Sequence, residues 1–217
     1  MQTINTQQFA EMAAGLGSKK QIDLLIAFDA TASRQNMWET AKKVQSELFQ
    51  TATETAHITA KIGYFRGHEE CRISKAHNNA DQIVNLMNSV KCQAGGTQLG
   101  KLLKHSQTSK QDAVIYTGDT IDPVEDFEHL KNLASEQPAP WYIIHDQSNH
   151  PGKEAFSNFQ QLAKLTGGAA MSYGKESAER ETSLKETFAA IAALSTGGLK
   201  ALSAQKTEPA LRLLASL

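Results

Sequence analysis

The stretch that most restricts what this chain can become is Ile22-Asp23-Leu24-Leu25-Ile26-Ala27-Phe28-Asp29-Ala30-Thr31-Ala32-Ser33. Its apolar run reads as a buried strand over about 22–28. The run stops abruptly in an acid, and two hydroxyls follow at alternate positions. A strand ending in Asp-x-Thr-x-Ser places hard oxygen donors in one tight turn. Such a turn belongs at the carboxyl edge of an open α/β sheet, where ligands bind in folds of this kind. Oxygen donors of this type suit Mg²⁺, and also Mn²⁺ or Ca²⁺.

The rest of the chain alternates between the two periodicities. Further strands are expected at His57 to Arg66, Glu69 to Ser74 (a short edge strand), Ala113 to Tyr116, Pro140 to His145 and Ala169 to Tyr173. Helical spacing appears through Met37, Ala41, Val44 and Leu48 (about 35–51), through Ile83, Leu86, Met87 and Val90, and through Leu99, Leu102 and Leu103. It returns at about 124–136, at Phe156 to Leu165 and at about 180–195. Strands alternating with helices imply βαβ units. The expected fold is therefore α/β, a doubly wound, mostly parallel sheet of about six strands with helices on both faces. Residues 1–20 are expected to form a helical extension, 21–195 the main domain, and 196–217 a helical tail opened by Thr207-Glu208-Pro209.

Bulk properties narrow the function. At 217 residues the chain fits one α/β domain with small extensions. A formal charge of −1 gives no reason to expect nucleic acid or an anionic membrane as partner. No apolar run reaches membrane-spanning length. The first residues carry neither a basic nor an apolar leader segment, and the two cysteines, Cys71 and Cys92, form no metal spacing. A cytoplasmic protein with reduced thiols is the expectation.

Asp-x-[Ser/Thr]-x-[Ser/Thr] alone is weak, since roughly 0.2 occurrences are expected by chance in a chain of this composition. Two further loops strengthen it. Thr97 lies in Gly95-Gly96-Thr97 at a helix start, and Asp119 follows the strand at 113–116. Together, Asp29, Thr31, Ser33, Thr97 and Asp119 resemble the von Willebrand factor A (vWA) domain with its metal-ion-dependent adhesion site, whose pattern is Asp-x-Ser-x-Ser, a distant Thr and a distant Asp. Tyr64-Phe65-Arg66 and Gln161 to Gly168 extend the resemblance, which covers about residues 20–195. Thr31 replaces the commoner Ser. Thr117-Gly118-Asp119-Thr120 departs from the family's frequent Ser-Asp-Gly, so Asp122 stands as the alternative acid in that loop.

The resemblance implies Asp29, Thr31, Ser33, Thr97 and Asp119 as metal ligands. Thr31, Ser33 and Thr97 would bind through hydroxyls, and Asp29 and Asp119 directly or through water. It implies Mg²⁺ (or Mn²⁺ or Ca²⁺) as the ion, and a protein partner presenting Glu or Asp to its open position. The expected function is an intracellular binding module rather than an enzyme. Two alternatives remain at this point: a scaffold of the same fold with an empty site, and a Mg²⁺-dependent phosphohydrolase using Asp29 as nucleophile. His145-Asp146 ends a strand at the same edge as a secondary feature. Trp38 is one residue off its helix stripe, with burial under the first loop and partial exposure both open.

Overall fold

Strand β1 (Ile22–Asp29) is apolar on both sides because both of its faces are covered. Leu24, Ile26 and Phe28 join one core cluster, while Leu25 and Ala27 join the other. In the computed structural model β1 is central, flanked by β2 (Ile58–Arg66) and β4 (Ala113–Gly118). The six-stranded sheet runs in the order β3-β2-β1-β4-β5-β6, with β3 (Glu70–Ile73), β5 (Trp141–Asp146) and β6 (Ala169–Tyr173) completing it. All pairings are parallel except β2 with β3. The structure describes residues 22–35, 38–39, 58–147, 153–173, 189–190, 193, 203–206 and 210–211. The expected N-terminal helix, most of the helices at about 35–51 and 180–195, and most of the C-terminal tail lie outside the described residues.

Four helices are described: α1 (Ala80–Ser89), α2 (Leu99–Thr108), α3 (Phe127–Ser135) and α4 (Lys153–Leu165). One face of the sheet is covered by α1 through Ile83 and Met87, together with Val90 and Trp38. Leu99, Leu102 and Leu103 of α2, Leu130 and Leu133 of α3, and Phe159 and Leu162 of α4 cover the other. Burying each of these large side chains contributes about 1.5–3 kcal/mol. The expected doubly wound α/β fold is the observed one. Among the described residues, no helix is long and apolar enough to cross a membrane.

Several boundaries differ from the sequence expectation: β4 runs on through Thr117 and Gly118, α4 begins at Lys153, and β3 is shorter at both ends. The helix expected from about 124 begins at Phe127, because Asp122 and Asp126 claim the backbone before it. Val124 N–H donates to Asp122 Oδ1 at 3.0 Å and Glu125 N–H donates to Asp122 O at 2.9 Å, forming a turn closed by the aspartate side chain. Asp126 Oδ1 then accepts from Glu128 N–H at 3.0 Å as the helix cap. Strand β5 continues through His145 and Asp146, whose backbones pair with Ser172 and Tyr173 of β6. Trp38 is buried: its indole N–H donates to Val90 O at 2.9 Å and its ring meets Phe28 edge-on at 5.1 Å.

Strand order decides where a ligand can sit. The chain winds outward one way from β1 to β3 and the other way from β4 to β6. The connections therefore part between β1 and β4, which opens a crevice at the carboxyl ends of those two strands. Asp29 ends β1, and Asp119 directly follows β4.

Candidate metal centre

Each loop at this edge is held by the sheet beneath it. Ala30 N–H donates to Phe65 O and Gln93 N–H donates to Ala30 O, both at 3.0 Å, so Thr31 lies in a parallel bridge with Gln93. The segment leading to Thr97 is thereby stitched to the loop after β1. Gly95 is required for this approach, because a Cβ there would lie 1.8 Å from Gly67 O. At Gly96 a Cβ would lie 2.3 Å from Asp122 Oδ2. The Gly-Gly pair admits the hairpin backbone on one side and the Asp119–Asp122 loop on the other.

Within the first loop, Thr31 N–H donates to Asp29 Oδ1 at 2.8 Å. The Thr31 and Ser33 hydroxyls lie 3.2 Å apart and share a hydrogen bond. Thr31 is buried and Ser33 is exposed. On the next loop, Thr97 Oγ1 accepts from Asp122 N–H at 2.5 Å and donates to Glu125 Oε2 at 3.3 Å. Asp119 is 0% exposed and Asp29 is 1% exposed. Both Asp119 carboxylate oxygens and Asp29 Oδ2 are buried without a hydrogen-bond partner. Asp122 Oδ1 closes its own turn, whereas both oxygens of Asp119 are buried and unpaired, so Asp119 is the acid of this loop with the stronger demand for a cation.

The electrostatics show how close these groups are. Burial pushes the Asp29 carboxyl up from 3.8 to about 6; the Thr31 hydrogen bonds resist the shift and the Asp119 charge adds to it. Tyr116, packed against Phe65, Trp141 and Phe159, is held as a neutral phenol, first by burial and then by Asp29, Asp119 and Glu125. The charges of Asp29, Asp119 and Glu125 thus all add to the shift at this one buried hydroxyl.

The orphaned oxygens fit a divalent cation. Unpaired buried carboxylate oxygens cost several kcal/mol unless something positive satisfies them. Mg²⁺ takes six oxygens at about 2.0–2.1 Å, which puts neighbouring ligands about 3 Å apart; the Thr31–Ser33 separation matches that spacing. Asp29, Thr31, Ser33, Thr97 and Asp119 would supply five oxygens. Among the described residues, no cluster of three or more His, Cys, Asp or Glu could hold a metal, so an ion at this edge depends on the hydroxyls.

Four residues with structural parts in the site carried little or no signal in the sequence. Arg34, next to Ser33, forms a buried ion pair with Asp146 Oδ2 at the end of β5. It ties the first loop across to the strand beyond β4 and lowers the Asp29 carboxyl slightly. The His145 ring is kept neutral chiefly by burial. Its Nε2–H donates to Asp119 O at 3.0 Å, and its ring stacks on Phe156 at 5.7 Å. His145 thus holds the Asp119 backbone from beneath. Glu125, read from sequence as part of the first helical turn, instead reaches back to the amino end of α2. A side chain capping a helix 25 residues away leaves no local pattern to read.

No family model and no curated protein matches the chain. Solved structures do. BatB from Bacteroides thetaiotaomicron, a conserved hypothetical protein, is similar at 15% identity with a TM-score of 0.57, over 79% of this chain and 98% of that one. The SpRpn10 VWA domain is similar at 13% identity with a TM-score of 0.56, over 75% of this chain and 94% of that one. Proximal thread matrix protein 1 from the mussel byssus, solved with zinc in its metal-ion-dependent adhesion site, is similar at 16% identity with a TM-score of 0.59. That match spans 79% of this chain and 48% of the byssus protein. At these identities the likeness establishes the fold alone, and that fold is vWA-like.

Proposed function

We propose that this protein is a binding module that uses a divalent cation at the β1–β4 crevice to hold an acidic residue of a partner protein. The observation that carries the reading is the set of three partnerless carboxylate oxygens, from Asp29 and Asp119, buried beside the Thr31–Ser33 hydroxyl pair. A cation there supplies one oxygen-seeking position for a Glu or Asp carboxylate of the partner. The metal-bound byssus neighbour supports the same reading by analogy of fold.

The chain's own groups divide the work. Asp29 and Asp119 provide charge that balances a divalent ion without exceeding it. Thr31, Ser33 and Thr97 provide neutral oxygens, which leave the ion electrophilic toward an incoming carboxylate. Ser33 is the solvent-facing member, so the open side of the shell lies toward it. His145 and the Arg34–Asp146 pair keep two of the loops in place before anything binds.

Calorimetry with Mg²⁺ and Mn²⁺, run beside pull-downs with and without EDTA, tests this. Saturable ion binding that is lost in Asp29→Ala and Thr97→Ala, together with partners released by chelator, is the expected result. Absence of both heat and thermal shift would instead make the protein a scaffold with an empty site.

A further inference from the structure

We infer that Glu125 is a positioning residue for the cation, acting through the Thr97 hydroxyl; this inference rests on the cation reading above. Helix α2 opens at Leu99 with Gln98 in the cap position, and Gln98 contributes no side-chain cap. The cap comes instead from the loop after β4. Glu125 Oε1 accepts from Gly100 N–H at 2.8 Å, and Oε2 accepts from Leu99 N–H at 3.2 Å and from Thr97 Oγ1–H at 3.3 Å. One carboxylate thus joins two of the three loops at the crevice.

The consequence for Thr97 follows from counting. A threonine hydroxyl has one proton and two lone pairs. Its proton goes to Glu125, and Asp122 N–H takes one lone pair at 2.5 Å. One lone pair remains, and a cation needs a lone pair. An ionised carboxylate can only accept, so it forces the Thr97 proton toward itself and away from the ion. An amide of the same shape does this in only one of its two orientations, and in each it sets a donor against a donor. Its N–H₂ meets either Gly100 N–H, or both Leu99 N–H and the Thr97 hydroxyl. The latter orientation occupies the lone pair that the ion would use.

The test is a double-mutant cycle on the full chain, with Mn²⁺ binding read by calorimetry and the melting temperature of the metal-free protein read alongside. Glu125→Gln is expected to weaken Mn²⁺ about 10- to 100-fold, the range typical when a group that orients a metal ligand is lost. Thr97→Ala is also expected to weaken Mn²⁺. The double variant is expected to bind as Thr97→Ala does, because without the hydroxyl Glu125 has nothing to orient. A role confined to capping predicts something else: Glu125→Gln would lower the melting temperature whether or not Thr97→Ala is also present, and would leave Mn²⁺ affinity unchanged. That result overturns the inference, as does a double variant whose loss is the product of the two single losses. If the Gln variant does not fold, Glu125→Asp, which keeps the charge but withdraws it by one methylene, is expected to show the same coupling to Thr97. Wild-type protein that binds no Mn²⁺ removes the cation reading and this inference together. Wild-type and Glu125→Gln proteins that bind equally well remove only this one.

Discussion

Replacing Asp29 with Asn should stabilise the metal-free protein while abolishing its response to metal. The Asp29 carboxyl titrates at about 6 in the fold against an ordinary 3.8, chiefly because burial disfavours its charge. For an acid raised in this way, the stabilising contribution is complete below about pH 4 and is lost as pH climbs through 6. The difference is about 2 pH units, or roughly 3 kcal/mol at 1.36 kcal/mol per unit. In EDTA, Asp29 should therefore remove about 3 kcal/mol from the wild-type protein between pH 4 and pH 7.5, which for a domain of this size is about 6–12 °C in melting temperature. Glu125, also raised chiefly by burial, adds to the loss with the same sign. His145, lowered by burial, and Glu69 and Glu70, lowered by their ion pairs, change in the opposite sense. The Asp29→Asn variant isolates the Asp29 share. Its amide oxygen can still accept from Thr31 N–H, and the charge acting against Asp119 is removed. At pH 7.5 in EDTA it should melt above wild type, and saturating Mg²⁺ should raise wild type alone. Urea midpoints across this pH range, with and without Mg²⁺, measure this. A wild-type minus Asp29→Asn stability difference that is flat or rises with pH in EDTA, or an Asp29→Asn variant less stable than wild type at pH 7.5 in EDTA, would refute the reasoning.

Other expectations follow from particular contacts. Gly95→Ala drives a Cβ into the Gly67 backbone and should cost about 1–3 kcal/mol by urea denaturation, with reduced Mn²⁺ affinity because the Thr97 loop is displaced. Asp146→Ala leaves the Arg34 guanidinium buried without its carboxylate; a loss of about 3–5 kcal/mol is expected in the same assay. Trp38→Phe keeps the ring packed on Phe28 but leaves Val90 O without the indole donor. The expected cost is about 1–3 kcal/mol, with ion affinity unchanged.

The fold was legible because burial on both faces of a parallel sheet writes itself into local sequence. Leu24 to Phe28, Val114 to Tyr116 and Trp141 to Ile144 are continuous apolar runs because each residue meets a helix layer on one side or the other. Among the four described helices, α1 and α2 were readable from side-chain spacing. The start of α3 was not, because Asp122 and Asp126 compete for the same backbone and both resemble caps. In the candidate site, the turn of the first loop was legible because two-residue spacing in one turn is a local property: Thr31 N–H meets Asp29 Oδ1, and the Thr31 and Ser33 hydroxyls pair.

What the sequence determined alone was the alternation of strands and helices and the placing of acids and hydroxyls at three strand or helix ends. The tertiary structure decided which of those groups share a crevice and which are already spent. The family-like pattern pointed to Asp29 and Asp119 together, and the parting of connections between β1 and β4 is what sets them at one crevice. Asp122 and Asp119 are near neighbours in sequence, yet one lies partly exposed with an oxygen closing its own turn and the other is left buried with both oxygens unpaired. Glu125, Arg34, His145 and Asp146 act on groups 25 or more residues away, so their roles exist only once the sheet has assembled. The physical reason is range: packing periodicity is set by neighbours along the chain, whereas satisfaction of buried polar atoms is settled among residues that only the fold brings together.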